Sequence, residues 1–209
     1  MKTYIQSKSS TQIKAAFNAF LIISALFTLG CSNTNEGIQY YSLNAIKPQA
    51  SKIINIEKTQ EDTLVIINDI TLADFLNTGG IVMQVDSHQI QISNQHRWGD
   101  KLPKAILAHL ITSLSANNNH LYFDLKNSKN THLANKKLSL SFEQFTIANQ
   151  QHETVISGYY TIESTLDNTR EKTFFDIRQP LSENGYNHAV ENFKNSLDEL
   201  SSLIIKELT

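Results

Sequence analysis

The sequence predicts an α+β fold in which a mostly antiparallel sheet carries two helices packed on one face, a two-layer sandwich. Runs of alternating apolar and polar residues, typical of half-buried strands, occur in groups along the chain. Each group ends in a segment whose apolar residues lie three or four apart, which is typical of an amphipathic helix. Few strand–helix–strand units are visible, so the strands are expected to pair mainly through hairpins.

The first half of the chain is predicted to hold a short strand, a buried strand, a hairpin and a helix. Residues 38–44 have the composition of a strand, and the apolar run 63–70 predicts a central strand buried on both faces. Isoleucine and valine alternate with polar residues on both sides of Asp86, which predicts a hairpin. Leucine and isoleucine four apart then predict a helix from near Asp100 to about Ser115.

The second half repeats this plan with longer strands. Between Phe142 and Phe145 the apolar alternation changes phase, which predicts a bulge near Gln144. Apolar residues from Tyr186 to Ile204 then recur at steps of three and four and predict a final helix. Four strands precede this helix, at residues 121–125, 138–147, 153–163 and 172–179.

Residues 1–30 have the pattern of a secretory signal peptide. Lys2, Lys8 and Lys14 give a positive start with no acidic residue, and an apolar stretch of 15 residues follows, from Ala15 to Leu29. A membrane-spanning helix needs about 20 apolar residues to cross the hydrocarbon core. Cleavage of this segment is therefore expected.

Cys31, the single cysteine, stands directly after this segment. The residues Thr28-Leu29-Gly30-Cys31 resemble a bacterial lipobox, which implies that the sulfur is acylated, the peptide is cut before Cys31 and the new amino terminus is acylated. Each buried methylene adds about 0.8 kcal/mol of membrane affinity, so more than one chain gives stable attachment. Ser32, by the same resemblance, favours the outer membrane. The alternative is an ordinary secreted protein with a buried thiol.

Without its signal, the chain is expected to be a short tether, residues 31–37, followed by one domain, residues 38–209. The mature part has 179 residues, enough for one full hydrophobic core. It carries 15 basic and 20 acidic residues, a net charge of −5. Because no basic cluster appears on any predicted strand or helix, a nucleic-acid partner is not expected.

The sequence offers little for catalysis or for a cofactor. The seven histidines lack the spacing of metal ligands with a nearby carboxylate. His109 falls within the first predicted helix and is interpreted as an exposed or hydrogen-bonded side chain. No phosphate-binding loop, dinucleotide fingerprint or nucleophile elbow is present, and Cys31 is assigned to lipid. We expect no catalytic residue, no metal and no cofactor.

Arg97 and Trp98 stand just before the first predicted helix and allow two interpretations. A single tryptophan at a helix entry commonly anchors the helix by packing. Tryptophan and arginine are also the residues that dominate protein interfaces, so the pair is a candidate partner contact. Solvent exposure of the Trp98 indole is the property that separates the two interpretations.

Several of these segments together resemble the PqiC-like family of ABC-type transport auxiliary lipoproteins. They are the lipobox at Cys31, the Tyr40-Tyr41 pair in the first strand, the segment Leu72–Leu76 and the Arg97-Trp98 pair before a leucine-rich helix. The resemblance spans about residue 38 to the last helix. The resemblance implies an envelope lipid-transport system that contains MCE-domain proteins, which bridge the inner and outer membranes. This chain would be the component at the outer membrane, facing the periplasm.

Three functions from different classes follow from these patterns. The first is a tethered accessory protein that docks on an MCE-domain conduit through sheet edges or loops and supports envelope integrity, with ring-like self-association as a further expectation. The second is a lipid carrier with an apolar cavity between sheet and helices. The third is a periplasmic hydrolase whose site combines scattered histidines and carboxylates.

Overall fold

All the predicted elements of the folded part are present in the structure, a computed structural model that describes residues 37–44, 63–116, 120–183 and 185–209. Gly37–Thr209 form one compact unit. The predicted signal peptide over residues 1–30, the lipid attachment at Cys31 and the tether before Gly37 lie outside the described residues.

Nine strands and two α-helices make up the described part of the chain. Two short 3₁₀ turns, Asp74–Leu76 and Thr131–Leu133, lie between strands. The helices are α1 (Leu102–Ala116) and α2 (Tyr186–Leu208). The strands are β1 (Gln39–Tyr41), β2 (Thr63–Ile67), β3 (Thr71–Leu72), β4 (Gly80–Gln84), β5 (Ile90–Trp98), β6 (Leu121–Leu125), β7 (Lys136–Ala148), β8 (Glu153–Ser164) and β9 (Arg170–Pro180).

Strand β7 is the centre of a single sheet. Along one edge it pairs with β8 in antiparallel fashion, and β8 in turn pairs with β9. Along the other edge it pairs in parallel with β2, then β3, then β4. Strand β6 lies beside β2, β5 lies beside β4, and β1 lies beside β5. Strand β2 is buried on both faces and has neighbours on both edges, as predicted.

The α+β class is confirmed, but the prediction of a mostly antiparallel sheet is wrong. Among the described strands, five of the eight pairings are parallel and three are antiparallel. The antiparallel pairs are the three hairpins, whose short turns can be read from the sequence. Parallel partners must be joined by long crossovers. Strands β2 and β6, for example, are separated by three strands and α1, so no local pattern reveals their pairing.

The predicted bulge in β7 is confirmed and explains how this long strand keeps one face in the core. The β7–β8 register shifts between Phe142 and Gln144. Because side chains alternate across a strand, the extra residue returns Phe145 to the same face as Phe142. Opposite the bulge, a Cβ on Gly158 would lie 2.0 Å from the Ser141 carbonyl oxygen. Only glycine therefore fits at that point of β8.

Both helices bury one face in a single hydrophobic core that they share with the sheet. The helix patterns predicted this, since α2 buries Val190, Phe193, Leu197, Leu200 and Ile204 at steps of three and four. In the part of the chain that the structure describes, no helix is both long enough and apolar enough to span a membrane.

Candidate functional site

The Arg97-Trp98 pair forms the carboxyl end of β5, where hydrogen bonds hold the backbone on both sides. The Trp98 N–H donates to the Gly79 carbonyl oxygen at 2.8 Å. The Gly99 N–H donates to the Tyr41 carbonyl oxygen at 2.7 Å. The end of β5 is thus fixed between the end of β1 and the turn that precedes β4.

Trp98 is a buried part of the core. Its side chain is 6 % exposed. The indole packs edge-on against Phe145, with ring centroids 6.0 Å apart, and also contacts Phe193 at 6.1 Å. Phe145 and Phe193 stack on each other at 4.3 Å, which links β7 to α2. This environment agrees with the packing interpretation, since Trp98 ties the entry of α1 to the aromatic centre of the core.

The Arg97 side chain lies against the backbone of the turn before β4. A Cβ built on Gly79 would stand 2.4 Å from Arg97 Nη2, and a Cβ on Gly80 would stand 2.2 Å from the Ser93 carbonyl oxygen. The two glycines leave the space in which the guanidinium and β5 approach this turn. In sequence, the pair Gly79-Gly80 predicts only a connection between elements. The space that it leaves for Arg97 is apparent only in the structure.

A groove of about 480 Å³ opens beside Trp98 and is named here the Trp98 groove. The turn after the first 3₁₀ segment forms one wall, and the residues that lead into α1 form the other. Exposed Asp100 and Lys101 place one charge of each sign on the second wall. The lining residues are Leu76, Asn77, Thr78, Gly79, Trp98, Asp100, Lys101, Leu102 and Pro103.

His109 is hydrogen-bonded through both of its ring nitrogens. Nε2 lies 2.9 Å from Asp198 Oδ1, and Nδ1 lies 3.3 Å from the Leu43 carbonyl oxygen. Both contacts are to acceptors within the fold, so the ring serves a structural link and presents no free nitrogen to a substrate. Within the described residues, no group of three or more histidine, cysteine, aspartate or glutamate side chains could hold a metal ion.

His188 contacts Ser182 at the start of α2. Nε2 accepts the Ser182 backbone N–H at 3.3 Å and lies 3.1 Å from the Ser182 hydroxyl. A serine–histidine pair is one part of a nucleophilic site, but the imidazole here also accepts the backbone N–H of the same serine. The contact joins Ser182 to the first turn of α2.

The fold resembles two crystal structures. One, of an uncharacterized protein, shares 18 % identity with a TM-score of 0.69 and is covered over its full length, with 83 % of this chain aligned. Another is a Xanthomonas campestris protein assigned to family DUF330, with 11 % identity and a TM-score of 0.59; the alignment covers 80 % of this chain and 92 % of that one. These similarities show the fold alone. No curated protein matches the chain.

The family assignment comes from the sequence. The profile of the family described as "ABC-type transport auxiliary lipoprotein component" matches residues 41–204, a span from the end of β1 to the last turn of α2. This span includes the Arg97-Trp98 pair, both walls of the Trp98 groove and the central strand β7. The chain therefore belongs to the ABC-type transport auxiliary lipoprotein family.

Proposed function

We propose that this protein is a periplasm-facing lipoprotein of the outer membrane that acts as an accessory subunit of an MCE/ABC-type intermembrane lipid-transport system and supports envelope integrity. The observation that carries the proposal is the family match over residues 41–204, which begins ten residues after the lipobox-like Cys31. The family match supports the role of a transport auxiliary protein, and Cys31 is the proposed point of attachment to the membrane. The proposal assigns the chain no catalytic residue, metal or cofactor.

The position of Cys31 sets the distance between lipid and domain. Six residues, 32–37, separate it from Ile38, and an extended chain spans at most about 3.4 Å per residue. The seven steps from Cys31 to Ile38 would therefore keep the start of the domain within roughly 24 Å of the lipid surface. An accessory subunit held this close meets a conduit only where the conduit reaches the membrane.

The Trp98 groove is our candidate contact for the transport partner, an MCE-domain protein. The buried indole gives the groove a rigid floor, because its neighbours Phe145 and Phe193 lock it in place. Arg97 contacts Gly79 on the groove wall. Arginine beside a rigid aromatic anchor is the composition of interface hot spots. In this proposal Trp98 shapes the site and Arg97 contacts the partner.

The lipid-carrier alternative requires an apolar cavity between sheet and helices. At the centre of that layer, Phe142, Phe145 and Phe193 are each at most 1 % exposed. Phe145 packs against both other phenylalanines, and Trp98 packs against Phe145 and Phe193. Side chains thus fill the position where an acyl chain would lie. For the hydrolase alternative, the His109–Asp198 pair lacks a free ring nitrogen.

The attachment is tested by intact mass spectrometry of the full chain purified from membranes. We expect a mature protein that begins at Cys31 and carries the mass of a lipid group on its sulfur and of an acyl chain on its new amino terminus. A Cys31→Ala variant should lose these masses. A wild-type mature protein with a free thiol and no acyl mass would contradict the anchor.

The partner contact is tested by purifying the lipoprotein from envelope extracts and identifying what accompanies it. Arg97→Ala should reduce recovery of the MCE-domain protein at least several-fold, and Gly79→Ala should do the same by displacing the guanidinium. The matched control is Arg170→Ala, which removes an exposed arginine at the start of β9. Equal recovery with all three variants would contradict the assignment of the groove.

A further inference from the structure

Four exposed apolar side chains lie on one face of the strand ribbon formed by β1, β4 and β5. Ile38, Tyr40, Ile90 and Ile92 are 56 %, 66 %, 42 % and 40 % exposed, respectively, and are named here the apolar patch. Isolated exposed apolar residues are normal on a protein surface, whereas a contiguous group marks an interaction site. The four residues therefore indicate an interaction site only if their side chains lie on the same face of the ribbon.

The strand register places these side chains on the same face. Tyr41 pairs with Trp98, which faces the core, and Tyr40 pairs with Arg97. Because side chains alternate, Tyr40 and Ile38 point away from the core. Gly80 also pairs with Arg97 and so belongs to that outer face.

Ile92 joins this face through Gly80. A Cβ on Gly80 would lie 2.8 Å from Ile92 Cγ2, so the Ile92 side chain occupies the space on the outer side of that glycine. Ile90, two residues before Ile92, faces the same way. The four side chains thus share one side of the ribbon, because Arg97 of β5 pairs with Tyr40 of β1 and with Gly80 of β4.

The ribbon is also free of carboxylates. None of the seventeen residues of β1, β4 and β5 is aspartate or glutamate, and the basic ones are Arg97 and His96. The distal strands differ, since β8 and β9 carry Glu153, Glu163, Glu171 and Asp176. The mature chain has a net charge of −5, but the ribbon of β1, β4 and β5 carries no acidic residue.

We infer that the apolar patch rests on the surface of the lipid bilayer that holds the anchor. This inference rests on the proposed acylation of Cys31. Ile38 is seven residues from Cys31, within roughly 24 Å of extended chain, so the patch belongs to the part of the domain nearest the membrane. Tyrosine favours the membrane interface because its ring is apolar and its hydroxyl is polar. Isoleucine side chains gain by leaving water, and no carboxylate on the ribbon repels phosphate headgroups.

The consequence is a fixed orientation for the domain. A lipid chain and a flexible tether alone would let the domain rotate freely above the membrane. A second contact through the patch would hold the sheet at one angle and keep the Trp98 groove, at the far end of β5 from Ile90, at a constant height.

The test uses the full acylated chain in vesicles of phosphatidylethanolamine and phosphatidylglycerol, with a spin label on one introduced cysteine. Tyr40→Cys places the label in the patch, and Leu166→Cys places it in the turn between β8 and β9, where the side chain is 81 % exposed. Acylated Cys31 does not react with the label. Collision rates with oxygen, which dissolves in lipid, and with a water-soluble nickel chelate are then measured.

If the patch rests on the bilayer, the ratio of the collision rate with oxygen to that with the nickel chelate should be several-fold higher at position 40 than at position 166. Equal ratios on chains that float with the vesicles would overturn the patch while leaving the anchor intact. Spin–spin broadening at position 40 would overturn it in favour of contact between two copies of the chain. Failure of the chains to float would contradict the anchoring at Cys31, and the inference would fall with it.

Discussion

The imidazole of His109 on α1 lies 2.9 Å from the carboxylate of Asp198 on α2. Its other nitrogen faces the carbonyl oxygen of Leu43, which follows β1 and is fully buried. One side chain therefore connects both helices and the segment that leaves the first strand. These two contacts of His109 hold α1 against α2 and against the segment after β1.

We predict an interaction energy of about 0.5–1 kcal/mol between His109 and Asp198, measured by a double-mutant cycle of alanine variants in urea unfolding. His109 is only 13 % exposed and is held on both nitrogens, which favours the upper part of this range. The control pair is Glu191 and Lys194, an exposed pair within α2, for which about 0.3–0.5 kcal/mol is expected. Fully additive effects of the His109 and Asp198 variants would contradict the link.

Trp98→Ala is expected to lower the free energy of unfolding by about 3–5 kcal/mol, because it removes a buried ring from contact with Phe145 and Phe193. Chemical denaturation measures this directly. Leu166→Ala, at a side chain that is 81 % exposed, should change stability by less than about 0.5 kcal/mol. Should Trp98→Ala abolish partner recovery at unchanged stability, the packing role would be wrong.

Gly80→Ala is expected to destabilise the protein by about 1–3 kcal/mol, since the new methyl group meets the Ser93 carbonyl oxygen and the backbone must move. Gly79→Ala meets the end of the flexible Arg97 side chain, so it should cost much less. Gly37→Ala, where nothing lies within 4 Å, is the control. Thermal melts of the three variants should show a marked loss for Gly80→Ala alone; equal melting temperatures would refute the close approach of β4 and β5.

Stability is predicted to fall between about pH 10 and pH 12 because of Tyr160. Burial, with the nearby carboxylate of Glu207, raises the pKa of Tyr160 from 10.0 to about 12. Its hydroxyl donates to Glu207 Oε1 at 2.5 Å. Above pH 10 the unfolded chain releases this proton while the folded chain keeps it, so rising pH favours unfolding.

The measurement for Tyr160 is the urea midpoint at pH 9 and at pH 11.5, for the wild type and for Tyr160→Phe. The drop should be smaller in the variant, because phenylalanine has no proton to release. Tyr122→Phe, at a tyrosine on β6 that has no hydrogen bond to a carboxylate within the described ranges, is the comparison. If wild type and Tyr160→Phe lose the same stability, the buried hydroxyl does not control this range.

Most elements of the fold could be predicted because their signals are local. The steps of three and four that define α2 and the phase change at Gln144 depend only on neighbouring residues, and both were confirmed. The direction of the strand pairing is not local. Strand β7 pairs with β2, β3 and β4 in parallel because distant segments bury apolar faces together, which no turn sequence reports.

The candidate site also has one part that local sequence predicts and one part that depends on distant segments. The Arg97-Trp98 pair could be found as a motif, since both residue types are rare and adjacent. The groove beside it could not, because it forms where the turn at Gly79 meets the start of α1, about twenty residues further along the chain. The need for glycine at position 79 follows only from the approach of Arg97 in space.

The measurement that tests the central claim most directly is site-specific photo-crosslinking in intact cells. A photoreactive amino acid replaces Lys101, an exposed residue on the wall of the Trp98 groove, or Leu166 as the remote control. We predict that position 101 is crosslinked to an MCE-domain protein of a transport system and that position 166 is not. Crosslinks from position 101 to secretion or cell-wall components alone would contradict the proposed role as a transport auxiliary subunit.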